Sequence, residues 1–210
     1  MEDETFAYYR DTIRTRIWSG FDNEDVVTET LNDWLLDDEA APHVKALRLF
    51  ADHEFATKRT AELNWPTETD CDRLDAIFKQ LNSEGILALA DAGYTTSDSH
   101  GDAWDLIGRS SKGRYTGFCY YHGQDVERVV DGLALWLGFD AVEEGEAAKR
   151  HIGERVRAAV ATTFKVNWNG DPESRIEITN LKWQRRTKWL PSLGSSVAGL
   201  FGRLFGRSEK

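Results

Sequence analysis

Cysteine is scarce in this chain: among 210 residues there are only Cys71 and Cys119. Two cysteines cannot build a disulfide framework, and the lack of any Cys-x-x-Cys spacing excludes a zinc ribbon or finger. Phosphate-binding glycine patterns are missing too. There is no Walker A loop, no Gly-x-Gly-x-x-Gly and no Gly-x-Ser-x-Gly, and "GRLFGR" lacks the strand-loop-helix context that a phosphate loop needs. No stretch approaches the roughly 18 apolar residues of a membrane-spanning helix. The start, "MEDETFAYYRDT", is acidic where a signal peptide has a basic region and an apolar run, so the expectation is a cytoplasmic protein. Positive charge is also short. The net charge of −10 argues against nucleic acid as a partner, because neutralising phosphates takes clustered Lys and Arg.

That deficit is uneven. Residues 181–210 hold seven Lys or Arg and one Glu, a net of +6, which leaves −16 on residues 1–180. With 40% hydrophobic and 30% charged residues the chain reads as folded, and its eight Trp bring large apolar areas to bury. The length suits one sizeable core with a small helical extension.

The first 62 or so residues predict three helices. Phe6, Tyr9, Ile13 and Ile17 form one apolar stripe. Val27, Leu31, Trp34 and Leu35 form a second, behind Asp22 or Asn23 as cap. Val44, Leu47, Phe50 and Phe55 form a third, with Pro42 in its first turn. "NWPTETD" reads as a linker. Thr69 with Asp72 then opens a helix that buries Cys71, Leu74, Ile77, Phe78 and Leu81 and stops at Gly85.

"ILALA" (86–90), "RYTGFCYY" (114–121) and "LALWLGF" (133–139) read as strands. "GYTTSDSHGD" reads as a polar loop before a short helix in "AWDLIG", and "QDVERVVDG" as another short helix. Residues 142–162 read as a longer helix with Ala147, Ile152, Val156 and Val160 toward the core. "FKVNW" and "RIEIT" flank "NGDPES" as an antiparallel hairpin. There is no internal repeat. The expected fold is α+β: a mixed or mostly antiparallel sheet of about five strands with helices, preceded by an N-terminal helical segment. The expected divisions are 1–64, a helical segment packed on the core; 67–187, the α+β core; and 190–210, a basic amphipathic tail.

Two short stretches gather reactive side chains. "FCYYHGQD" holds Cys119, His122 and Asp125, and "SDSHGD" holds Asp98, His100 and Asp102. On a strand, Phe118, Tyr120 and His122 share one face and Cys119 takes the other, which separates Cys119 from His122. The simplest reading is a buried thiol, a histidine at a strand end and an acid in the first turn of a helix. Asp98, His100 and Asp102 with His122 form a possible ligand set for a divalent metal such as zinc or manganese, although capping of the helix from Ala103 explains the same residues. The spacing matches neither His-x-His-x-Asp-His nor a calcium-binding EF-hand, where Arg109 occupies the place of the required Glu. Tyr94, His100, Trp104, Tyr120, His122 and Asp125 together make a candidate ligand pocket.

The stretches "IWSGFDNEDVV", "DRLDAIFKQLNSEGILAL", "AGYTTSDSHGDAW", "GFCYYHGQDVERVV" and "VNWNG…RIEI…W" resemble a bacterial family called domain of unknown function 6891, over roughly residues 12–186. The resemblance implies no reaction and no ligand. Some members carry a cysteine cluster close to Cys-x-x-Cys-Gly-His where this chain has Thr95, Thr96 and Asp98, so a thiolate site does not carry over.

The tail places Leu200, Phe201, Leu204 and Phe205 at helical spacing beside Arg203 and Arg207. That pattern suits docking on protein or contact with an anionic membrane surface, which would make the protein peripheral at the inner face of the membrane. "RTRIW" and "QRRTK" read as ordinary surface charge in so acidic a chain. The expected function is a non-enzymatic binding or interaction module recognising a protein or small ligand, with no resident cofactor. The alternatives are a metal-dependent hydrolase built on the Asp/His residues, with a bound water as nucleophile, and a peripheral membrane protein.

Overall fold

The computed structural model describes residues 4–189. The chain begins with α1 (Glu4–Ser19), α2 (Glu24–Asp33) and α3 (Val44–Glu62), the last two separated by short 3-10 turns at Trp34–Leu36 and Ala41–His43. There follow α4 (Asp70–Ser83), β1 (Ile86–Leu89), α5 (Thr96–Arg109), β2 (Gly117–Tyr120), α6 (Gly123–Val130), β3 (Leu135–Ala141), α7 (Glu146–Val160), β4 (Val166–Asn167) and β5 (Ile176–Ile178). No helix among the described residues is long and apolar enough to cross a membrane. The tail residues Leu200, Phe201, Arg203, Leu204, Phe205 and Arg207 lie outside the described residues.

The three N-terminal helices bury their own apolar cluster around Ile13, Ile17, Leu31 and Leu47. Asn23 caps α2 by accepting the Val26 N–H. Pro42 lies in the 3-10 turn just ahead of α3. That turn and its neighbour alter the expected second stripe: Trp34 and Leu35 leave the helix, and Leu35 is exposed. Lys58 on α3 is fully buried and donates from Nζ to the Ile17 carbonyl (2.8 Å), which satisfies an orphan acceptor in the last turn of α1. Glu62 lies 3.9 Å from the same ammonium.

The sheet is mixed, in the order β1-β2-β3-β5-β4; β1 and β2 are parallel and the remaining pairs antiparallel. Its main face carries Ile86, Cys119, Leu135, Leu137, Phe139 and Ile176 and is covered by α4, α6 and α7. The other face carries Leu87, Phe118 and Tyr120, and α5 covers it through Ala103 and Ile107. Two helices start on a reciprocal cap, at Thr69 with Asp72 and Thr95 with Asp98, and α6 starts at His122, whose backbone N–H the Asp125 carboxylate accepts.

Several boundaries differ from the expectation, each for a local reason. Residues 96–102 are helix, because the Thr95–Asp98 cap starts α5 seven residues before "AWDLIG". The strand expected over 114–121 keeps only 117–120, since a turn through Gly113 (φ 76°) precedes it. The strand expected from Leu133 starts at Leu135, after Gly132 (φ 82°), and Leu133 is exposed. Ala147 falls in the first turn of α7 on the solvent side, and Ala148 packs instead.

Residues 181–189 form no regular element, yet they bind the helical segment to the core. Trp183 Nε1 donates to the Ser19 carbonyl (3.1 Å). Arg185 grips Asp75 with two nitrogens (2.7 and 2.8 Å) and reaches the Tyr121 hydroxyl (3.2 Å). Glu62 accepts both the Thr187 N–H (2.9 Å) and Trp189 Nε1 (2.7 Å).

Candidate functional site

The end of the parallel pair is where reactive side chains collect. The two loops leaving β1 and β2 remain zipped beyond the strands: Ala92 N donates to Tyr121 O (3.0 Å), Tyr121 N to Leu89 O (3.3 Å) and Gly123 N to Gly93 O (3.0 Å). A regular parallel ladder would use the N–H of residue 91 where Ala92 is used. One residue is therefore extra, a bulge at the strand end. Asp91 occupies it with φ 52°, the only non-glycine at positive φ among the described residues. Asp tolerates this region better than most residues, yet the conformation is still costly and bulges of this kind re-aim a side chain.

One cluster lies on the α5 side. Tyr120 points along the same face as His122, and its ring fills the space over Gly138, where a Cβ would meet ring atoms at 2.3 Å. His122 and Asp125 are both buried. The Asp125 carboxylate accepts from His122 N (3.1 Å) and pairs with Arg175, which also donates to the Trp136 carbonyl (2.8 Å). His122 Nδ1 lies 3.1 Å from Asp125 Oδ2, while Nε2 faces Arg175 Nη1 at 3.4 Å and Thr96 Oγ1 at 3.5 Å. Arg175 has donors only, so the tautomer that gives its Nη1 an acceptor carries the ring proton on Nδ1, beside Asp125 Oδ2, and accepts at Nε2. The Asp125 N–H then goes to the His122 carbonyl (2.9 Å). Burial holds the His122 pKa below its usual value, Asp125 opposes that and Arg175 reinforces it, all consistent with a neutral ring. Asp125 Oδ2 and the two ring nitrogens of His122 thus engage one another and Arg175, in a brace that ties the start of α6 to β5.

The residues singled out in the sequence distribute around this brace. His100 packs edge-on against Phe118 (5.1 Å) and Tyr120 (5.5 Å), with Nδ1 4.0 Å from Asp140; burial lowers its pKa. Trp104 packs on Phe118. Asp98 accepts from the backbone N–H groups of Thr95 (2.9 Å) and Tyr94 (3.3 Å), as a cap does. Because the segment is helical rather than a loop, Asp98 and Asp102 share one side of α5 and His100 turns roughly 200° away from Asp98. Among the described residues, no group of three or more His, Cys, Asp or Glu is spaced to hold a metal ion. Cys119 is fully buried on the opposite face from His122, and burial pushes its thiol up to about 12. Tyr94 points away from the brace and donates from its hydroxyl to Glu127 (3.0 Å).

Tyr94 instead lines a cavity of about 350 Å³ between α1 and the ends of β1 and β2. Thr12, Thr15, Arg16 and Ser19 of α1 form one wall, Phe21 and Asp22 a corner, and Asp91, Gly123 and Glu127 the other side. Arg16 pairs with Asp22 (2.7 Å). Asp91 is half-buried, and among the described residues its carboxylate makes no hydrogen bond. Burial raises its pKa, Asp22 adds to that, and Arg185 and Arg16 oppose it. Two larger hollows, of about 480 and 530 Å³, lie between α2 and α3 and between α1, α3 and the end of α6. Each is crossed by an ion pair, Arg59–Glu24 in one and Arg14–Asp131 in the other.

Asp91 and Arg175 were not among the expected site residues. Arg175 shows in the sequence only as a polar position beside the alternating strand "RIEIT". Asp91 had a faint signal, as an acid directly after an apolar strand and before "AGY".

A family model described as Domain of unknown function (DUF6891) matches residues 2–187. No curated protein and no solved structure matches the chain.

Proposed function

The chain belongs to the domain of unknown function 6891 family, and because membership assigns no chemistry, we propose from the geometry that the protein is a non-enzymatic binding module taking a small polar ligand between α1 and the ends of β1 and β2. One observation carries the reading: Asp91 holds a carboxylate without a hydrogen-bond partner in the wall of a cavity, on backbone that a bulge has turned to positive φ. Strained residues concentrate where ligands are held. The position agrees with the general tendency of ligands to bind beyond the carboxyl ends of parallel strands. The lining supplies carboxylates, hydroxyls and one guanidinium, a set suited to holding a ligand.

The test is a thermal-unfolding screen of small polar compounds on the protein beside Thr15→Trp, which plugs the cavity. Compounds that raise the melting temperature of the first and not the second support the reading. A screen in which every shift is equal in the two proteins overturns it.

The tail supports a compatible second role, contact with an anionic membrane surface, because its apolar residues alternate with Arg203 and Arg207. Co-sedimentation with vesicles containing phosphatidylserine, compared between the full chain and a chain ending at Trp189, tests it; equal solubility of the two removes the idea.

A further inference from the structure

We infer that the occupant of the Asp91 cavity is an organic cation, a primary ammonium held by the Asp91 carboxylate. This rests on the binding reading above and specifies the ligand's chemistry. The first argument is charge. The lining contains the carboxylates of Asp22, Asp91 and Glu127 against the single guanidinium of Arg16. Arg16 pairs with Asp22 through Nε, and Glu127 receives the Tyr94 hydroxyl, which leaves Asp91 as the carboxylate with no hydrogen-bond partner among the described residues. Arg185 is not among the lining residues, and its terminal nitrogens are held by Asp75 and Tyr121.

The second argument is the hydrogen-bonding inventory. The Thr12 hydroxyl donates its proton to the Tyr8 carbonyl (2.9 Å), and the Ser19 hydroxyl donates to the Arg16 carbonyl (2.6 Å). What these side chains have left is lone pairs. Around Asp91 the wall therefore offers hydroxyl lone pairs and a carboxylate, while Thr15 and the terminal nitrogens of Arg16, which meets Asp22 through Nε alone, add donors on the α1 side. A group that complements Asp91 itself brings donors and positive charge, and an ammonium brings three donors on one centre. A carboxylate or phosphate ligand would face Asp91 with like charge. The third argument is the rim, where Phe21 and Tyr94 offer aromatic faces of the kind that attract cations. Phe21 already carries the Arg185 guanidinium 4.6 Å from its ring centre. At about 350 Å³ the space is near the small end of ligand pockets, which fits an amine of metabolite size.

The test is calorimetric titration of the full-length protein at neutral pH with n-butylamine and cadaverine, beside n-butanol and butyrate as neutral and anionic probes of the same carbon skeleton type. Asp91→Asn keeps the shape and the tolerance for positive φ while removing the charge; Asp102→Asn, on the exposed side of α5, is the control. The expected result is saturable binding of the amines that weakens on the order of tenfold in Asp91→Asn and is unchanged in Asp102→Asn. Binding of butyrate or butanol in preference to the amines, lost in Thr15→Trp, would overturn the cation assignment while leaving the binding reading intact. No saturable amine binding at millimolar concentration, or amine binding unchanged in Asp91→Asn, also overturns it. Equal melting temperatures of the unliganded variants show that any loss is not a folding defect.

Discussion

Lys58 offers a direct test of how the helical segment is built. Its ammonium is fully buried, and desolvation, only partly offset by Glu62, lowers its pKa from 10.5 to about 8. The unfolded chain therefore binds a proton more tightly at this site than the folded one. Stability rises with pH wherever the unfolded state holds more protons, so the burial cost is fully present below pH 8 and is relieved as pH rises toward 10.5. The whole cost is about 3 kcal/mol at 1.36 kcal/mol per pH unit, and about 1 kcal/mol of it is relieved between pH 7 and pH 9.

Lys58→Met keeps the aliphatic stem and removes the charge. It gives up a charge-assisted hydrogen bond to the Ile17 carbonyl worth roughly 1.5–3 kcal/mol, so the variant should match the parent to within about 1 kcal/mol at pH 7. The informative quantity is the difference between the two proteins, measured by urea unfolding from pH 7 to pH 9. Cys71 and Cys119, which burial raises to about 11 and about 12, pull the other way once pH passes 9, but they do so in both proteins and cancel. The parent should gain about 1 kcal/mol on the variant across the range. A difference that stays flat, or that moves toward the variant, would refute the placement of a charged lysine in this core.

Other expectations follow from the sheet and its brace. Gly138→Ala drives a methyl into the Tyr120 ring and should cost about 1–3 kcal/mol in a denaturant titration, and should cost less when added to Tyr120→Ala, measured against Tyr120→Ala alone. Arg175→Met leaves the buried Asp125 carboxylate without its counter-charge and should cost about 3 kcal/mol, most of it regained in Asp125→Asn/Arg175→Met; a single variant of parental stability would mean that the brace carries no load. Both cysteines should resist a thiol reagent in the native protein and react together only on unfolding, whereas fast native labelling of either would contradict its burial.

Much of the fold follows from local pattern. The stripe Leu74, Ile77, Phe78 and Leu81 and the Thr69–Asp72 cap place α4 without outside help, and the turn chemistry of "NGDPES" announces the final hairpin. The segment 93–102 was harder to read. Its Thr95–Asp98 pair is the same cap that marks α4, but Ser, Asp and Gly in the following turn have weak helix propensity, and the stabilising contacts of Ala103 and Ile107 with the sheet are tertiary. Tyr120, His122 and His100 come together because strand alternation and the strand-helix junction bring them there, which the pattern does convey. Arg175 joins them from 50 positions away, and that pairing depends on register between strands that no local signal encodes. Asp91 was missed because one extra residue at a strand end shows only in the hydrogen bonds.

The segment 181–189 bears on the order in which the molecule is completed. Its hydrogen bonds reach back 164 residues to Ser19, 127 to Glu62 and 110 to Asp75. The N-terminal helices and the sheet that follows them can each bury apolar surface as they emerge, but this fastening between them waits for residues 181–189, which come after both. Closing such long loops is slow compared with forming local helices. A chain whose synthesis is cut short before residue 181 therefore has both halves and lacks their clasp, and the wall that α1 gives to the Asp91 cavity would be the last part of the site to be set.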